Sequence, residues 1–283
     1  MQVYDKFKAL TQRASREALY RQVVTPDVEA QIARMPKPVG SFGYDAWGYN
    51  ENAAKLGLGV VKLLYEKYFR VTAHGVENIP THGPVLLIAN HSGQLPMDGV
   101  LIGGAMAMSP HGPRAPRAMV ERFFPTVPWL GSVLTGIGAV IGDPLNCIKM
   151  LEQGEAIIVF PEGVRGSGKL YRHRYQLQRF GNGFMHMAMQ TGATIVPVGV
   201  VGCEETMPSF ANLSPLAKLL GLPYVPFGPP LPLPAKVYLN FGEAMCFDRT
   251  ASSEEEVTAR VELVKDKIRA LIERGLAERK NVF

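Results

Sequence analysis

Val85-Leu86-Leu87-Ile88-Ala89-Asn90-His91-Ser92-Gly93-Gln94-Leu95-Pro96-Met97-Asp98-Gly99 runs from an apolar segment through a histidine and a glycine turn to a proline suited to the first turn of a helix. The apolar segment is continuous rather than alternating, the pattern of a strand covered on both faces. The reading is strand, loop, helix, with His91 where the strand stops and Asp98 inside the first helical turn. Two stiff elements then hold an imidazole and a carboxylate across a short loop. In such a pair the acid keeps the imidazole in one tautomer while the other ring nitrogen accepts a proton from a hydroxyl. A core histidine or a helix cap is the alternative reading of the same residues.

Outward from this stretch, short β-like runs alternate with helical ones. The expected strands are Val71 to Val76, Val85 to Ala89, Ala118 to Val120, Gly138 to Ile141, Ala156 to Phe160, Thr194 to Val201 and Lys236 to Phe241. Between and after them lie expected helices at Met97 to Met108, Pro144 to Glu152, Gly183 to Gln190 and Ser253 to Ala277. The last has a serine cap, acids in its first turn and a stripe through Val257, Val261, Val264, Ile268, Leu271 and Ile272. This alternation predicts an α/β fold with a largely parallel central sheet flanked by helices.

The N-terminal part differs. Residues Val3 to Ala33 place apolar side chains at helical spacing among Lys6, Lys8, Arg13, Arg16 and Arg21, a basic amphipathic segment. Prolines and glycines then interrupt it, and a second helix is expected from Glu51 to Phe69. That helix is too apolar to be freely solvated. Either it packs on the main domain, or it beds into lipid headgroups with its lysines snorkelling. The expected division is a helical docking region at 1–70 and an α/β domain at 71–283. Leu213 to Pro234 mixes leucines and aromatics with many prolines, so it is a long apolar loop, tucked over the core or dipped into lipid.

At 283 residues, 47% of them hydrophobic, with mean hydropathy +0.03 and formal charge +5, the chain is basic and rather apolar. That balance points to an anionic, apolar partner such as a membrane surface. No nucleic-acid motif accompanies the basic residues, so nucleic acid is not an expected partner. Cys147, Cys203 and Cys246 are scattered, without metal-ligand spacing, which argues for a reducing compartment and against a metal site. Met1 to Leu10 has no apolar core of the signal-peptide kind, and no apolar run approaches the ~18 residues of a spanning helix. The expected location is cytoplasmic, peripherally bound to the cytoplasmic face of the membrane.

A second constellation follows the strand ending at Phe160: Pro161-Glu162-Gly163-Val164-Arg165-Gly166-Ser167-Gly168-Lys169. Gly163 to Lys169 fits the glycine-rich phosphate loop of nucleotide triphosphatases up to Leu170, which stands where a magnesium-binding Ser or Thr is required. The basic character remains. No Asp or Glu occurs from Gly163 to Cys203, while Arg165, Lys169, Arg172, Arg174 and Arg179 crowd the first part. This is either a solvated surface or an anion site at the mouth of a strand.

Together these blocks resemble the glycerolipid and lysophospholipid acyltransferases. Asn90-His91 with Asp98, Phe160-Pro161-Glu162-Gly163 with Arg165, and Ile195-Val196-Pro197-Val198 occur in that family's order, over roughly residues 71 to 242. The resemblance implies transfer of an acyl group from acyl-CoA or acyl carrier protein, as co-substrate, to a lipid hydroxyl, with no other cofactor. It makes His91 the general base and Asp98 its orienting partner, Glu162, Gly163 and Arg165 the shapers of the acceptor site, and Pro197 part of its floor. Lys169 and Arg172 extend the expected substrate site, and backbone N–H groups around Gly93 are the expected oxyanion donors. Two departures stand out. The family spacing is H-x-x-x-x-D, whereas here a longer loop separates His91 from Asp98. Gly138-Ala139-Val140-Ile141-Gly142-Asp143 also lacks the arginine usual for an acceptor phosphate. The acceptor is therefore left between lysophosphatidate, or another lysophospholipid, and a neutral mono- or diacylglycerol. A thioester hydrolase and a lipid-binding or membrane-tethering protein are the rival classes.

Overall fold

The computed structural model describes residues 17–18, 20–35, 40, 42–92, 95–120, 130–213, 215, 217, 224–251 and 253–283. Its centre is a seven-stranded sheet. The strands are β1 (Thr72–His74), β2 (Val85–Ala89), β3 (Pro116–Val120), β4 (Ala139–Ile141), β5 (Ala156–Val159), β6 (Thr194–Val201) and, after a small hairpin, β9 (Tyr238–Phe241). The sheet order is β1-β9-β6-β2-β5-β3-β4, and every pairing is parallel except β6 with β9. The chain is therefore an α/β protein with a mostly parallel central sheet, as its alternating pattern predicts.

All five residues of β2 are buried, between β5 and β6. Its side chains divide with the two-residue period of a strand. Leu86 and Ile88 join the core beneath the long C-terminal helix, and Val85, Leu87 and Ala89 join the core on the opposite face. This is why the run is apolar without alternation.

The helices that cover these faces are α3 (Met97–Ala107), α4 (Leu130–Gly136), α5 (Pro144–Glu152), α7 (Gly183–Thr191) and α9 (Glu254–Glu278). In α9 the Ser253 hydroxyl accepts the Glu256 N–H, and Val257, Val261, Val264, Ile268 and Ile272 are buried. Leu130–Gly136 is a helix that the sequence pattern does not predict, since its apolar run is short and without strong periodicity.

The expected helix from Val3 is described only in part, and its beginning lies outside the described residues. Within it, α1 (Pro26–Ala33) buries Val28 and Ile32. The helix α2 (Glu51–Leu63) starts at Asn50, whose side chain accepts the N–H groups of Asn52 and Ala53, and continues as a π-helical turn through Tyr68. Ala54 and Leu58 of α2 pack with α1 and with Ala107 at the end of α3. The opposite side of α2 exposes Leu56, Val60 and Leu63. The connecting segment is pinned by Arg117 of β3, which pairs with Asp45 and, at 2.9 Å, with Glu155.

Candidate active site

The site lies at the carboxyl ends of β2 and β5, neighbours in the sheet, where ligands bind in open parallel sheets. Beyond β2, Asn90 ties the strand end to β6: its Nδ2 donates to the Val200 carbonyl at 3.0 Å, and its Oδ1 accepts the Val200 N–H at 2.8 Å. His91 therefore leaves a fixed point. Asp98 is fully buried in the first turn of α3, and its Oδ2 lies 2.7 Å from His91 Nδ1. The same oxygen accepts the Ser92 N–H at 2.8 Å, and Oδ1 accepts the Gly99 N–H at 2.7 Å. The longer loop thus brings the carboxylate to the imidazole.

With Nδ1 turned to a carboxylate, it carries the ring proton and Nε2 is left as the acceptor. Nε2 has no hydrogen-bond partner among the described residues. Phe160 stacks on the ring at 4.3 Å between centroids. Burial alone would depress the His91 pKa, but the Asp98 charge and hydrogen bond, with Glu162 further off, outweigh it and hold the pKa above its ordinary value.

The block after β5 folds back over this histidine. Gly163 adopts φ +54°, a conformation that favours glycine, and opens the short helix α6 (Val164–Ser167). A Cβ on Gly166 would sit 2.7 Å from the His91 Cβ and 2.8 Å from that of Glu162, so only glycine permits this approach. Glu162 is buried. It accepts the His91 N–H at 2.9 Å and the Gln178 N–H at 2.8 Å.

The structure redistributes the other residues expected at the substrate. The Lys169 side chain is turned inward, 3.1 Å from Glu204 and 3.6 Å from Glu162, and donates to the Gln176 carbonyl. Its charge offsets these buried carboxylates, and it is not among the residues that line the cavity described below. Glu162 likewise turns both oxygens to the protein's own backbone rather than outward. Arg165 is exposed, its guanidinium only 3.4 Å from the Arg179 carbonyl, and Arg172 is exposed beside His173. Gly163 borders the cavity described below. Gly93 lies outside the described residues.

Sequence reasoning missed the support behind Glu162. Glu204 accepts the Tyr175 N–H at 3.0 Å; the Tyr175 hydroxyl donates to Glu205, and Arg279 reaches Glu205 at 2.8 Å. The one sequence signal was an acidic pair, Glu204-Glu205, within a long stretch otherwise free of acids. Asn90 was legible in sequence as part of the Asn90-His91 block, but not as the tie between β2 and β6.

An apolar cavity of about 280 Å³ opens beside His91. It runs between α2, α3 and the β3–β5 side of the sheet, past Leu58, Val61, Val100, Gly103, Met119 and Ile158. Among the described residues no group of His, Cys, Asp or Glu is arranged to hold a metal ion. Nor is any described helix long and apolar enough to cross a membrane.

Comparison with known proteins bears on the family and the fold. The family model described as "Acyltransferase" matches residues 70–201. An uncharacterized protein of Mycobacterium tuberculosis is 34% identical over 259 residues, covering 86% of this chain and 72% of its own. A Bos taurus protein named "DGAT1/2-independent enzyme synthesizing storage lipids" is 26% identical over 206 residues, covering 71% of this chain and 58% of its own. The crystal structure of the 1-acyl-sn-glycerophosphate acyltransferase PlsC from Thermotoga maritima shares the fold at a TM-score of 0.58 and 21% identity, covering 82% of this chain and 83% of that one. With the matched region spanning β1 to β6 and both motif-bearing strand ends, the chain belongs to the acyltransferase family and is an acyltransferase enzyme.

Proposed function

We propose that the protein moves a fatty acyl group from an acyl thioester, acyl-CoA or acyl carrier protein, to the hydroxyl of a glycerolipid. The observation that carries this reading is the 2.7 Å His91–Asp98 pair at the mouth of an apolar cavity. Asp98 orients the imidazole, and Nε2 takes the proton of the acceptor hydroxyl as its oxygen attacks the thioester carbonyl carbon. The C–O bond forms, the C–S bond breaks, and the imidazolium returns its proton to the departing thiolate. Base catalysis of this kind contributes roughly 10² to 10⁴-fold, and alignment of the two substrates supplies much of the remainder. The cavity takes the acyl chain, since its walls offer hydrocarbon and no charge to pair. No other cofactor enters the scheme.

A phosphate-bearing acceptor such as a lysophospholipid would meet Arg165, the exposed cation on the short helix that covers His91. A neutral acceptor is the second reading. The end of β4, where Gly142 borders the cavity, carries Asp143 rather than a cation, and the bovine relative is named for storage lipids. The protein works from the membrane surface that supplies such lipids, with residues 1–70 as its docking region. Incubation with acyl-CoA and lysophosphatidate, monoacylglycerol or diacylglycerol, with products identified by mass, tests the reading. Acceptor-dependent thiol release and a new ester are expected. Free fatty acid alone, or turnover undiminished in His91→Ala, would overturn it.

A further inference from the structure

The mechanism makes no use of the apolar segment that follows β6, yet its exposed side chains form a distinctive surface. Between Gly163 and Gly242 the acidic residues are Glu204 and Glu205 and no others. Both are buried, 5% and 2% exposed, and are paired with Lys169 and Arg279. The exposed charges contributed by this long stretch are therefore all positive, and Arg165, Arg172, Arg174 and Arg179 stand among them.

Large apolar side chains emerge beside these cations. The hairpin of β7 (Ala211–Asn212) and β8 (Pro226–Phe227) leaves Phe210 61% and Phe227 59% exposed, and Leu231 in the strap that follows is 73% exposed. The Tyr171 N–H donates to the Ser209 carbonyl, the Tyr171 ring meets Phe210 at 6.0 Å, and Arg174 lies 4.7 Å over Tyr171. At the other end, the Tyr68 hydroxyl donates to the Pro232 carbonyl and Arg70 to that of Pro234, each at 2.6 Å. One connected edge thus runs from the end of α2, with exposed Leu56, Val60 and Leu63 behind it, to the basic loop whose first residues pack on His91.

We propose that this hairpin and strap form a second docking edge that presses on an anionic lipid bilayer, distinct from the N-terminal helices. Isolated surface leucines and phenylalanines are ordinary, but exposed aromatics interleaved with arginines, with Glu66 at the α2 end paired to Lys62, match a headgroup region, apolar beneath and anionic above. The inference rests on the reading that the acceptor lipid comes from a membrane: pressed down there, the edge holds the mouth beside His91 against the lipid supply.

The test uses the full chain and vesicles of phosphatidylcholine alone or with one-third phosphatidylglycerol. Wild type is expected to prefer the anionic vesicles and to lose that preference as salt rises. Phe227→Ser with Leu231→Ser, and separately Arg174→Glu, should each weaken binding by about tenfold or more, from lost apolar burial and lost attraction respectively. Turnover of acyl-CoA with a soluble short-chain acceptor should stay unchanged in both. Leu231→Trp reports insertion directly, by a blue shift of the added fluorescence on anionic vesicles, and keeps the inference testable if the serine variant fails to fold. Wild-type binding in the double variant, equal binding to both vesicles, no shift at position 231, or concentration-dependent dimerisation through this edge would each overturn it. Loss of acyl transfer by wild type to every acceptor would instead sink the functional reading, while vesicle binding still reports on the surface.

Discussion

Glu162 and Arg165 belong to one motif after β5, yet they end in opposite environments. Glu162 and Lys169 turn inward: the carboxylate holds the backbone of His91 and Gln178, and the lysine neutralises it together with Glu204. Arg165 and Arg172 turn outward and make few contacts with the protein. A buried charge needs partners, and here they come from the loop itself and from Glu204; an exposed charge keeps its water and remains free to meet a ligand. The inner half of the loop therefore fixes the backbone of His91, and the outer half stays in solvent. Removing either half should fail in a different way.

The largest effect is expected at the centre of the inner half. His91→Ala should reduce kcat by two to four orders of magnitude, and Asp98→Asn, which keeps the shape but not the charge, should approach that loss. Because base catalysis needs the neutral imidazole and the folded pKa is raised, kcat/KM should rise with pH, its acid limb above the ordinary imidazole value of about 6.5. Asp98→Asn removes the anion that favours the imidazolium and should move that limb to lower pH. A limb that stays in place would break the orienting role of Asp98.

Next, Glu162→Ala should leave two backbone N–H groups and Lys169 without this partner. Its expected cost is about 3 to 5 kcal/mol of stability, read as a lower denaturant midpoint in urea. Stability equal to wild type would show that Glu162 is not part of the frame. Arg165→Ala should do the reverse: unchanged stability, with KM for lysophosphatidate raised about tenfold and KM for monoacylglycerol unmoved. If both KM values rise together, Arg165 does not read phosphate.

Val100→Trp, which narrows the cavity beside His91, should lower kcat/KM for long acyl chains roughly tenfold or more and spare short ones. A uniform loss at all lengths would place the acyl chain elsewhere. The smallest effect concerns the thiols. Cys147 and Cys203 are buried, the first pushed up to about 12 and the second well above the ordinary range by desolvation, while Cys246 is exposed. A thiol reagent should modify Cys246 alone in the native protein, with activity kept.

The fold was largely legible because local chemistry marked it. β2 and β6 match their expected limits, as does α5, since apolar runs bounded by glycine or proline leave little choice of state. The His91–Asp98 pair was legible as types and order: the strand stop, the turn and the helix start are local signals. Only tertiary structure decided that the longer loop closes to 2.7 Å, because that distance depends on how β2 and α3 pack rather than on their spacing. It also decided that Lys169 is spent on Glu162 and Glu204. Glu162 comes from the same loop and Glu204 from the end of β6, held two strands away across β2, and no periodicity encodes which face of a loop meets the core. The acid pair Glu204-Glu205 was plain in sequence, but its meaning, a buried counter-charge that leaves only cations exposed between Gly163 and Gly242, depends on Tyr175 and Arg279 converging from distant parts of the chain. Sequence alone determined the strand ends that carry the chemistry. Packing, which sets where each charge finds water or a partner, decided which charges are spent inside the protein and which stay exposed.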